Sequence, residues 1–294
     1  MSLRARIFFG FILTLALVTG SIHLALTLPH TGLTFSTEGD HLLLQDGEDR
    51  LLIEAFRIDD RLIPATAHFV IEEPDVLPDY ASYNALIAAL GELADAATTK
   101  QLSMVLADGE RPVTLIERRL SDLPALFWLQ LLCGAAALVI WVLVWAARPR
   151  ELTVQLFAAT GIGYMLSSLA AAIYSGREMM IASELFLSLS RLNHIGALLF
   201  AASLTGLFWN MPLRLAGNWL LRAVYGTCAA LIAANMLQWY HAPTMLYASV
   251  LVLFIPGILG SVLQWLRTRT LRATGPRCAG CCCRSMPAPC SIPS

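Results

Sequence analysis

Charge is what this chain has least of. Only 14% of its 294 residues are charged while 57% are hydrophobic, and the mean hydropathy is +0.64. A soluble domain carries about a quarter charged residues, so the composition of a water-soluble globular protein is excluded. The scarce acids are also confined. Of 21 Asp and Glu residues, all but Glu151, Glu178 and Glu184 lie between Glu38 and Asp122. A net charge of −1, segregated in this way, gives no basis for nucleic-acid binding. Catalytic patterns are missing as well. No His-Glu-x-x-His sequence and no paired aspartates fall in the apolar runs, and His23, His194 and His241, the histidines near those runs, lack the partners that nucleophilic or metal chemistry requires. No inverted repeat and no acid–base pairs at mid-depth point to a transporter or channel. Nothing in the sequence calls for a cofactor.

What remains is a series of long apolar runs. A bilayer core takes roughly 20 apolar residues per helix. Such runs cover Ile7–Leu28, Leu123–Ala147, Leu152–Tyr174, about Ser190–Trp209, Trp219–Tyr240 and Met245–Leu266. The first is longer than a signal-peptide core of about 7–15 residues, and it reads as an uncleaved anchor. An interfacial helix over Met179–Leu189 is expected just before the fourth run. With the N-terminus in the cytoplasm, Arg4, Arg6, Arg148, Arg150, Arg214, Arg267, Arg269 and Arg272 all fall inside, and the acidic segment falls outside. Trp128, Trp145, Trp209, Trp219, Trp239 and Tyr240 stand near run ends, as an aromatic belt requires. The expected architecture is a membrane α-helical bundle of about six transmembrane helices carrying a small α+β extracytoplasmic domain. It divides into an anchor (1–28), the outer domain (29–122), a five-helix bundle (123–270) and a Cys/Pro-rich tail (271–294). The expected location is the bacterial inner membrane, multi-pass, with the lipid bilayer as the first partner.

Polar groups within spans are costly and mark candidate sites. Arg191, Asn193 and His194 fall near the outer end of the fourth run, with Glu184 just before it. Together they are a candidate outward-facing pocket for a polar or acidic ligand; interfacial snorkelling and helix–helix hydrogen bonds are the competing reading. The stretch TGIGYMLSS supplies small residues for close helix packing.

The outer segment reads as strand, turn and strand in LTFSTEGDHLLLQ, a further strand ending at Asp59–Asp60, and a short strand His68–Glu73. A helix follows with Leu86, Leu90, Leu93 and Ala97 on one face and Ser82 as its expected N-cap. A hairpin turning at Asp108-Gly109 closes the segment. TGLTF (Thr31–Phe35) resembles the Gly-Leu-Gly-Phe carboxylate-binding loop of PDZ domains, FRIDDRLI resembles the Gly-Asp-Arg-Ile-Leu segment, and the late helix with VLADGERPVTL fits the remaining order. Thr34 and Asp59 replace glycines of the pattern. The resemblance implies a PDZ-like fold. It also implies, if peptide binding by strand addition survives, a carboxylate site at Gly32, Leu33, Thr34 and Phe35, where the N–H groups of the last three would hold the ligand.

An anchor helix, a PDZ-like outer domain and a multi-span bundle together resemble the input region of certain bacterial membrane sensor histidine kinases. That resemblance implies a signal-sensing function, a homodimer, and an extracytoplasmic peptide or small molecule as the signal. Neither a phosphoacceptor His on a charged helix nor a Gly-rich ATP lid occurs in this chain, and it cannot phosphorylate anything as it stands. A membrane transporter or channel component and a membrane-anchored peptide-binding scaffold are the alternatives.

The tail PRCAGCCCRSMPAPC admits three readings. Zinc needs four ligands in tetrahedral geometry, which contiguous Cys281, Cys282 and Cys283 with no following histidine do not suggest, so no metal site is expected. Palmitoylation of juxtamembrane cysteines is the second. The third is a frameshift: shifted by two bases, every Cys–Cys junction codes leucine, and GPRCAGCCC becomes compatible with RAALRWLLL, the start of another span. The codons favour the frameshift. The topology has a direct test: an alkaline phosphatase reporter fused after Glu72 should be active outside the cytoplasm, and a cytosolic reporter would overturn the whole arrangement.

Overall fold

The computed structural model describes residues 1–99 and 101–273; the cysteine tail and the three readings of it lie outside the described residues. Among the described residues six helices are long and apolar enough to cross a membrane: α1 (Leu3–Leu26), α3 (Ala125–Ala147), α4 (Leu152–Ser175), α5 (Ser183–Asn210), α6 (Asn218–Met236) and α7 (Met245–Ala273). Between α1 and α3 lie the strands β1 (Thr34–Glu38), β2 (His41–Asp46), β3 (Asp49–Ile58), β4 (Arg61–Pro64), β5 (Leu102–Leu106) and β6 (Gly109–Pro112), with helix α2 (Tyr80–Thr98). The strands form one antiparallel sheet in the order β1-β2-β3-β5-β6, and β4 pairs with β3 beside that path.

Alternation builds the sheet domain. In β5, Leu102, Met104 and Leu106 point inward while Ser103 and Val105 are half-buried, the period of two that a strand with one buried face requires. Together with Leu42, Ile53 and Phe56 they meet Leu90 and Leu93 of α2 in the core. Full burial of each such side chain is worth about 1.5–3 kcal/mol. The α2 N-cap is Asp79, whose carboxylate accepts from the Ser82 N–H at 2.7 Å; Ser82 is therefore the residue capped and not the cap expected.

Two further expectations for this domain are corrected. The segment His68–Glu73 is not a strand: Ala67–Val70 forms a 3-10 turn. Phe69 is buried in the core, against Phe56 at 5.7 Å between ring centroids, Val70 and Ile71 pack against it half-buried, and the carbonyls of Ile71 and Glu72 accept from Arg177. The closing hairpin turns at Ala107-Asp108, because Leu106 pairs with Gly109.

The bundle is a row of packed neighbours. α1 lies on α3, α3 on α4 and α4 on α5, and α5 carries both α6 and α7. The expected break between an interfacial helix and the fourth span is absent: α5 is continuous over 28 residues. Its first two turns bury Phe186 and Leu189 in the sheet-domain core, so packing holds the helix together where the hydropathy alone suggested a division. Arg6 donates to the Ala146 carbonyl at 2.7 Å, which puts the start of α1 and the end of α3 at one end of the bundle, opposite the sheet domain. Phe8, Phe11, Leu132, Ile140, Ile255 and Leu259 are exposed, as lipid-facing residues of spanning helices would be.

The closest helix contact is α4 on α5. A Cβ added at Gly163 would lie 2.5 Å from the Phe200 amide nitrogen, and one at Gly196 would lie 2.5 Å from that of Ser167. Small residues let two backbones approach in this way. Gly163→Leu should therefore destabilise the protein in detergent by at least about 1–3 kcal/mol. Gly226→Ala, where nothing lies within 4 Å of the added Cβ, should stay within about 0.5 kcal/mol in the same thermal unfolding measurement.

Candidate functional site: a buried polar junction between sheet domain and bundle

The α4–α5 connection, residues 176–182, is inserted into the sheet domain. Met179, Met180 and Ile181 are buried in the same hydrophobic cluster as Leu42, Phe56 and Leu90. Helix α2 closes on it from above: a Cβ at Gly91 would overlap the Ser183 hydroxyl, and that hydroxyl donates to the Ile87 carbonyl at 3.0 Å. The two parts of the molecule therefore share one core.

Charged groups from this connection reach into the domain. The Glu178 carboxylate accepts from the Thr31 N–H and the Thr31 hydroxyl, both at 2.8 Å, and from the Gly32 N–H at 3.2 Å. Gly32 has φ of 73°, a conformation that glycine adopts at little cost and that turns successive N–H groups toward one anion. The imidazole of His30 lies between the Glu178 carboxylate and Asp122, the latter at 3.5 Å. The N–H of Arg119 holds the Asp122 carboxyl below its ordinary value. Arg118, also buried, donates to the Ala25 carbonyl at 3.1 Å and to the Gly176 carbonyl, tying the end of α1 to the α4–α5 connection. Burial pushes its guanidinium down from the usual value.

Arg177 is more extreme. Its guanidinium donates to the carbonyls of Ile71 and Tyr174, each at 2.5 Å, and lies over the Phe186 ring at 5.0 Å. Burial lowers it to about 10, because a charge taken from water into a site with no carboxylate in contact is destabilised. These groups border a cleft of about 940 Å³ that also takes in Leu33, Thr34 and Phe35 along β1.

A second polar cluster crosses the junction at α5. His194 meets Asp75 through Nε2 and Asn235 through Nδ1, both at 2.8 Å. The Tyr83 hydroxyl, whose ionisation is pushed up by burial, pairs with Ser190 at 2.8 Å. Asp75 and His194 are only 6% and 5% exposed, so this ion-pair geometry is shielded from solvent.

The residues singled out in the sequence are distributed among these features. Gly32 contributes its N–H to a carboxylate, but that carboxylate belongs to Glu178, and the cradle is Thr31–Gly32, two residues ahead of the three N–H groups expected. Leu33 donates to the Thr31 hydroxyl at 3.1 Å, while Thr34 and Phe35 pair with Gln45 and Leu44 in the sheet. Of the expected outward pocket, His194 turns inward to Asp75, and Asn193 turns to the hydroxyls of Ser167 and Tyr174. Glu184 and Arg191 are exposed, so the four do not line one cavity. The sequence reading missed Arg177, Glu178, Arg118, His30 and Asp75. A signal for two of them was present: Arg177-Glu178 is an adjacent charged pair in a short, otherwise apolar connection, and Glu178 is among the few acids outside the acidic segment. Among the described residues no cluster of His, Cys, Asp or Glu fits a metal ion. No protein-family model, curated protein or solved structure matches the chain.

The burial of Glu178 sets its expected weight. Glu178→Gln leaves an amide N–H₂ facing backbone N–H donors and should cost about 1–3 kcal/mol. Arg57→Ala, which removes the half-exposed Arg57–Glu110 pair at 3.1 Å, should cost no more than about 1 kcal/mol. Thermal unfolding of the detergent-solubilised chain compares the two.

Proposed function

We propose that the chain is the signal-input module of a membrane sensor histidine kinase, with a PDZ-like sheet domain outside the bacterial inner membrane and the N-terminus in the cytoplasm. The kinase itself is not part of this chain, and the working unit that the resemblance implies is a homodimer. The single observation that carries the reading is the shared core: the α4–α5 connection is buried in the sheet domain, so a movement of the domain cannot leave α4 and α5 unchanged. α7 packs on α5, through the Thr205 hydroxyl on the Leu253 carbonyl at 2.6 Å and the Trp209 Nε1–H on the Pro256 carbonyl at 2.9 Å. It then runs to the arginine-rich end of the bundle, the direction in which an output would travel. Two packings of the junction whose balance a ligand shifts are what such a module needs.

A peptide-binding scaffold is the second reading, favoured by the carboxylate already held at Thr31 and Gly32 beside the β1 edge. A peptide's terminal carboxylate that replaced Glu178 there would have the same donors.

A chimera tests the first reading: α7 is continued into the dimerisation helices and ATP-binding domain of a heterologous sensor histidine kinase. Autophosphorylation in membrane vesicles should change severalfold in Glu178→Gln and in Gly91→Leu, which disturb the junction without touching the kinase. Output identical to wild type in both variants, with normal membrane levels, would sink the input-module reading.

A further inference from the structure

A second cavity, of about 480 Å³, lies at the side of the molecule where the sheet domain meets α5 and α7. Its volume is within the range of small-molecule sites. Its two ends differ chemically. At the domain end stand Glu73 and Asp75; the body is walled by Ala197 of α5 and by Val250 and Phe254 of α7. Among the described residues no arginine or lysine lines it. His194 is committed to Asp75 Oδ2. Arg177 is occupied by the carbonyls of Ile71, Glu72 and Tyr174. Asp75 Oδ1 is buried and has no hydrogen-bond partner among the described residues, and Glu73 accepts only a long bond of 3.3 Å, from the Tyr247 hydroxyl. On the open side Leu251 is 58% exposed on a candidate spanning helix, so the apolar end faces the level of the lipid chains.

An orphaned buried carboxylate oxygen is costly, and a charged donor recovers the most. We propose that this cavity binds a single-chain amphiphile with a primary ammonium head, the head placed between Glu73 and Asp75 and the alkyl chain laid along Ala197, Val250 and Phe254. An anionic head meets Glu73 and finds no cationic partner among the described lining residues, because His194 is already held by Asp75. A quaternary ammonium has no N–H to give. A primary ammonium has three, enough for Glu73, one water and, on a small turn of the carboxyl, the buried Asp75 oxygen. Binding here does not require the input-module reading to hold; a scaffold with the same junction would have the same cavity.

The test uses the full chain in phosphatidylcholine nanodiscs, whose headgroups offer no N–H, with radiolabelled dodecylamine as the probe and empty discs as the blank. Saturable binding above the blank is expected, displaced by unlabelled dodecylamine and not by dodecanol or dodecyl sulfate. Glu73→Gln, an exposed position, should weaken it roughly tenfold, and Ala197→Phe, which fills the cavity, should abolish it with the wild-type unfolding temperature retained. If Ala197→Phe lowers that temperature, Glu73→Gln alone decides. Discs containing lysophosphatidylethanolamine, which has one chain, separate two sources of the same head: competition there identifies a lipid amine, and its absence a free one. No saturable component, equal displacement by dodecanol, or unchanged affinity in Glu73→Gln would overturn the proposal.

Discussion

The rest of the structure depends on the burial of residues 176–181 between α4 and α5. A connection between two spanning helices ordinarily runs over the surface, because its backbone polar groups need water. Here Met179, Met180 and Ile181 enter the core of the sheet domain, and the polar groups are satisfied from within: Gly176 accepts from Arg118, and Ser183 donates to Ile87. Desolvated apolar surface holds the junction together. The hydrogen bonds fix its register.

The charged residues at this junction follow from that burial. Two guanidiniums and a carboxylate taken from water would each be strongly destabilised alone. Each is compensated by backbone groups of the other part of the molecule, Glu178 by the amides of Thr31 and Gly32, Arg177 by the carbonyls around Ile71, Arg118 by that of Ala25. The compensation is directional, and it exists in one relative position of domain and bundle. A shift of the domain by a fraction of a hydrogen-bond length leaves charges unpaired. That makes the junction stiff around its minimum and sensitive to anything that offers those charges another partner.

Much of the fold was legible along the chain because it rests on local composition. Each of the six apolar runs corresponds to a helix, with bounds shifted by up to seven residues, the turns at Gly39-Asp40 and Asp59-Asp60 follow from turn chemistry, and Leu86, Leu90 and Leu93 sit on the buried face of α2. The failures share a cause. His68–Glu73 has the aromatic and β-branched residues of a strand in Phe69, Val70 and Ile71, but the carbonyls of Ile71 and Glu72 are taken by Arg177 from more than a hundred residues away. Hydropathy alone divides α5 at Leu189, whereas the protein surrounds its first two turns with the core of the sheet domain. Gly32 was found as part of a carboxylate-binding loop; that the occupant is Glu178 has no trace in the spacing.

By itself, then, the order of residues determined how many helices are greasy enough to cross a bilayer, where the acidic module sits between them, and which ends carry the arginines, since hydrophobicity and charge act over neighbouring positions. Only the tertiary structure decided that the module and the bundle are one packed body, that Glu178, Arg177 and Asp75 are the groups that matter at their boundary, and that His194 and Asn193 part company on adjacent positions of one helix. Those outcomes depend on which distant backbone groups are left without water and which side chain reaches them first, a condition that no single stretch of sequence contains.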